Sequence, residues 1–154
     1  MATSIYVTIT GDTATIAGLS SLGAALTDFT APMAAIGEEL KNYYSNTSFA
    51  DQGGNLGFQW PTLAASTVLA KLKKYPQYAT TPLMRTGTMK NSFIAEVTPR
   101  SVLISNTAPY FKYHQSSAPR TKIPYRPMMA LNEESKGIIQ TIIEADIAAK
   151  VARA

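Results

Sequence analysis

From Asn132 onward the sequence dictates an amphipathic α-helix, and such a helix needs a surface to lie on. Ile138, Ile139, Ile142, Ile143 and Ile147 recur at the three- and four-residue steps that share one helical face. Asn132 supplies a capping side chain, and Glu133 and Glu134 set negative charge at the positive end of the helix dipole. A partner surface is signalled upstream. Phe93, Ala95 and Val97 alternate with Ile94, Glu96 and Thr98, Pro99-Arg100 makes a turn, and Val102 and Ile104 continue beyond it. Proline suits the second position of a type I turn. The predicted fold class is α+β: a small antiparallel sheet with a hairpin, packed against several helices including the C-terminal amphipathic one.

The remaining elements follow from the same periodicities. Ile5, Val7 and Ile9 alternate with polar residues, which predicts a strand ending at Gly11-Asp12. Leu19, Leu22, Leu26 and Phe29 recur at helical spacing. A second helix is predicted after Thr30, with Pro32 in its first turn and Met33, Ile36, Leu40 and Tyr43 on one face. Residues 46–59, marked by Gly53, Gly54 and Gly57, read as a long loop ordered by a partner or mobile. Trp60-Pro61 reads as the start of a helix whose apolar stripe is Ala64, Ala65, Val68, Leu69 and Leu72. Lys71, Lys73 and Lys74 crowd its last turn, where the dipole favours cations. A short helix is expected over Tyr110–His114, then a polar basic loop over 115–124 and an extended piece, Tyr125 to Leu131.

The chain has 154 residues, a length that suits a single domain over 1–154. Its 45% hydrophobic and 16% charged composition is the opposite of what disorder requires. With no cysteine, disulfide scaffolds, thiolate metal sites and cysteine nucleophiles are excluded. The opening residues contain neither a basic stretch nor an apolar run, so no signal peptide is expected, and no apolar run is long enough for a membrane span. Cytosol is the default compartment.

The net charge of +4 is unevenly placed. Residues 1–51 hold Lys41 against Asp12, Asp28, Glu38, Glu39 and Asp51, a net −4. Residues 52–132 hold ten bases and the single acid Glu96, a net +9. A basic middle of this kind asks for an anionic partner, either nucleic acid or an acidic protein surface.

Catalytic chemistry is hard to assemble from these residues. His114 is the only histidine, and no Gly-x-Ser-x-Gly elbow supplies a nucleophile. Gly57 precedes Phe58-Gln59-Trp60, not the Lys-Ser/Thr of a phosphate loop. No catalytic, cofactor-binding or metal-ligating residue is expected, and the chain reads as a non-enzyme. Lys112 among Tyr110, Phe111 and Tyr113, and Arg120, Lys122 and Arg126 around Tyr125, do follow the single-strand-binding pattern of bases among stacking aromatics. An alternative function is therefore a basic nucleic-acid-binding module using residues 71–126.

Motif order points elsewhere. Trp60-x-x-Leu63-x-x-x-Thr67-x-x-x-Lys71 is followed by Leu83-x-x-Thr86-Gly87-x-Met89-x-x-Ser92 and the hairpin. Tyr110-x-x-Tyr113-His114-Gln115 and Ile123-Pro124-x-Arg126-Pro127 then precede the final helix. Over about residues 15–150 this order resembles the tailed-phage virion-morphogenesis family, the tail-completion or neck proteins that join heads to tails. The chain departs from the family pattern at Ser116-Ser117, where a glycine is usual, and at Met128-Met129, where Phe-Leu is usual.

The resemblance implies a structural virion protein that forms a homo-oligomeric ring, commonly of about six copies, at the head–tail junction. Its implied partners are other neck proteins: the connector or adaptor on one side and the tail terminator or tail tube on the other. DNA would pass through the lumen without sequence-specific binding. The acidic N-terminal third and the basic middle would then meet across adjacent subunits. Interface roles are expected of Phe58, Arg85, Tyr110, Tyr113, His114, Arg120, Lys122 and Arg126, and of the loops that carry them. Arg126, in an apolar stretch, needs a partner; Glu96 or an acid on the next subunit is the expected one.

Overall fold

A computed structural model describes residues 13–118 and 122–153. The helices are α1 (Thr13–Ala25), α2 (Thr30–Asn42), α3 (Ser48–Ala50), α4 (Ala65–Lys74), α5 (Thr88–Asn91), α6 (Phe111–Gln115) and α7 (Glu133–Val151). Strands β1 (Phe93–Thr98) and β2 (Ser101–Asn106) form the hairpin, in antiparallel register from Phe93 opposite Asn106 to Thr98 opposite Ser101. The fold is α+β as predicted. The strand expected over Ile5–Ile9 lies outside the described residues.

Helix α2 is the hub, packing on both strands and on α7. It approaches the sheet closely because Gly37 faces it. A Cβ there would sit 3.1 Å from Ala95 Cβ and 3.3 Å from Val97 Cγ2, tighter than ordinary contact. Helix α7 is held at its start by a capping box. Asn132 Oδ1 accepts from the Ser135 backbone N–H at 2.9 Å, and Ser135 Oγ accepts from the Asn132 N–H at 2.9 Å. Two tyrosines tie this start to the end of α2. Tyr43 Oη donates to Glu134 at 2.8 Å, and Tyr44 Oη donates to the Ala130 carbonyl at 3.0 Å. Burial pushes both phenol pKa values up.

Trp60 anchors the core. Its indole packs edge-on against Phe49, with centroids 5.2 Å apart, and its Nε1–H donates to the Pro127 carbonyl at 2.7 Å. Phe93, Met89, Met128, Ile36 and Leu40 complete the cluster, and Ile138, Ile139, Ile142 and Ile143 of α7 pack against it.

Three expectations are corrected. Residues 46–59 are not a loop awaiting a partner. A π-helical turn over Tyr43–Thr47, α3 and a 3₁₀ turn over Gly54–Leu56 fill this span, and Ser48, Phe49 and Leu56 are buried. Gly53 is required there. Its φ of +83° is left-handed, and a side chain would strike the Trp60 indole and the Phe58 carbonyl. Second, the helix after Trp60 begins at Ala65: Trp60 belongs to the core, and the Pro61 and Thr62 carbonyls accept from the Arg126 guanidinium. Third, the helix carrying Leu19 and Leu22 ends at Ala25, before Leu26 and Phe29. Leu19 of α1 is 53% exposed, and Leu69 and Leu72 of α4 are 63% and 49% exposed.

Candidate interaction surface

The motif residues named above come from four separated segments, and the fold gathers most of them around one groove of about 480 Å³. Leu63, Thr67 and Lys71 line it from the segment that runs through α4, and Leu83 to Met89 from the segment that leads into α5. Tyr75, Tyr110 just before α6, His114 of α6 and Arg126 complete the lining. The backbone is shaped to make it. Leu83 has φ +58°, an uncommon conformation for a residue with a side chain, and Gly87 has φ +80° at the start of α5.

The groove is cationic. Among its lining residues there are two arginines and a lysine and no acid. Lys71 is half-buried, donates from Nζ to the Thr81 carbonyl at 2.7 Å, and has its pKa lowered by burial. The exposed guanidinium of Arg85 lies over the Tyr75 ring, 5.1 Å from its centroid.

Arg126 is buried and pairs with no acid among the described residues. Its Nε and Nη2 donate to the Pro61 carbonyl at 3.0 and 2.7 Å, and Nη2 also reaches the Thr62 carbonyl at 3.2 Å. The partnership with Glu96 is thus corrected: backbone oxygens do that work, and desolvation lowers the arginine pKa. Gln115, from the His-Gln pair, is a second pin. It donates to the Met129 carbonyl at 2.7 Å and accepts from the Met128 and Met129 N–H groups.

The expected interface residues divide. Arg85, Tyr110, His114 and Arg126 meet at the groove. Tyr113 is exposed on α6 with Lys112 Nζ 5.3 Å from its ring centroid. Phe58 stands apart, exposed and edge-on to Tyr125 at 4.7 Å. Lys122 is exposed, and Arg120 lies outside the described residues. Tyr75, Met84 and Thr88 also line the groove and belong to none of the motifs; Tyr75 follows Lys71 by the same four-residue step that joins Thr67 to Lys71, which was the available signal for it.

No His, Asp or Glu cluster suited to a metal occurs among the described residues, and no described helix is long and apolar enough to cross a membrane.

A family model for phage virion morphogenesis matches residues 12–148. The chain belongs to the phage virion morphogenesis family, which ties it to the assembly of phage particles. Comparison with curated proteins and with solved structures returned no match.

Proposed function

We propose that this chain is a structural, non-catalytic subunit of the phage neck. It forms a closed ring of about six copies between the connector and the tail tube, completing the tail and joining it to the head. DNA passes through the lumen without sequence-specific contacts. The observation that carries the reading is exposed apolar surface in a virion-morphogenesis chain. Leu19, Leu69, Leu103, Leu131 and Val151 are each more than half exposed, and subunit contacts would cover them. The purified protein should give a closed-ring mass by native mass spectrometry. That ring should loosen toward about 1 M salt, where charge pairs between neighbours are screened. A monomer at every concentration contradicts the ring.

A second reading, a single-strand-binding module, draws support from the exposed Tyr110 and Tyr113 beside Lys112. It requires binding to single-stranded DNA that weakens steeply with salt. Salt-insensitive or undetectable binding rejects it.

A further inference from the structure

Helix α4 stands out from the body of the fold. Among the described elements its one substantial packing partner is the Pro76–Tyr78 turn, and no residue of it is buried. Thr67 and Lys71 turn toward the groove. On a helical projection Leu69, Leu72 and Lys73 share the opposite side, and all three are exposed. An amphipathic helix with its leucines in water is an incomplete structure.

A complementary face lies on α2. Ala31, Ala35 and Glu38 follow one another on the side turned away from the sheet, and all are exposed. Small side chains there would let the leucines of a second helix come close. Glu38, whose side chain is 70% exposed although it also pairs with Lys41 at 2.6 Å, falls one turn after the alanines, as Lys73 falls one turn after Leu69. Aligned in the same direction, Leu69 meets Ala35 and Lys73 meets Glu38. The match is steric and electrostatic together, and it resolves the −4 and +9 segments into two particular helix faces.

We propose that α4 of one protomer docks along the outer face of α2 on a second copy of this chain. This inference rests on the ring reading. The two faces are different and belong to elements with no substantial packing on each other, so the contact is head-to-tail and propagates until it closes.

The absence of cysteine makes the test clean. Leu69→Cys and Ala35→Cys, introduced together at exposed positions, should give intermolecular disulfides under mild oxidation, in a ladder ending at the ring mass. A control pair, Glu96→Cys with Ala35→Cys, should cross-link at least about tenfold more slowly, because Glu96 lies exposed on the hairpin, away from α4. Lys73→Glu should slow the first reaction, and Glu38→Lys in the same chain should restore it. Rings that form while the 69–35 pair cross-links no faster than the control overturn this docking and leave the ring standing. A wild-type chain that never oligomerises overturns the ring reading, and the docking with it.

Discussion

Replacing Trp60 with alanine should lower the unfolding free energy by about 4 kcal/mol, the cost expected for deleting a large aromatic from a packed core. The indole is 2% exposed and touches Phe49, and its N–H satisfies the Pro127 carbonyl 67 residues away. The variant loses the packing, the hydrogen bond and the fit to the Gly53 turn together. A domain of this size has on the order of 5–15 kcal/mol in total, so a large share goes with one side chain. Trp60→Phe separates the contributions. It retains most of the ring contact and leaves the carbonyl unsatisfied, so it should cost about 1–2 kcal/mol. Urea unfolding followed by circular dichroism reads both, since Trp60 is the only tryptophan and its fluorescence disappears with it. A loss below about 1 kcal/mol for the alanine variant would contradict this placement of the core.

Arg126→Met should cost about 2–3 kcal/mol, because the hydrogen bonds it removes are charge-assisted and made by a buried group. Methionine keeps much of the aliphatic stem and removes the fork that holds Pro61 and Thr62. Lysine does not rescue it. A single ammonium cannot reproduce the paired Nε and Nη2 contacts on one oxygen, so Arg126→Lys should recover less than half of the loss. Glu96→Gln is the discriminating control. Neutralising a carboxylate that partnered Arg126 would leave a buried charge unpaired, whereas Glu96 stands in solvent on β1, and its change should alter stability by less than about 0.5 kcal/mol.

The same two residues show where local reading of the sequence succeeds and where it ends. Helices α2 and α7 and the hairpin were legible because each announces itself locally, through Pro32, Asn132 and the alternation from Phe93 to Ile104. Trp60-Pro61 carries an equally good local signal for a helix start, and it misleads. The bonds that hold this stretch before the helix run to Arg126 and Pro127, and no pattern within a single element contains them. Residues 46–59 misled in the opposite sense. Their glycines do make turns, but the turns serve to wrap the chain around Trp60. The site was half legible. Motif order named most groove residues, yet only the fold could join four segments into one cationic wall. The charge split was visible at once. The separation of basic residues into Arg126 inside, Lys71 at the groove and Lys73 outside needed three dimensions.

Electron microscopy of lysates from a phage lacking this gene tests the head–tail joining role most directly. The account predicts DNA-filled heads and unattached tails accumulating side by side, with joining restored when the purified protein is added back. Normal, infectious virions in the absence of the protein would contradict it.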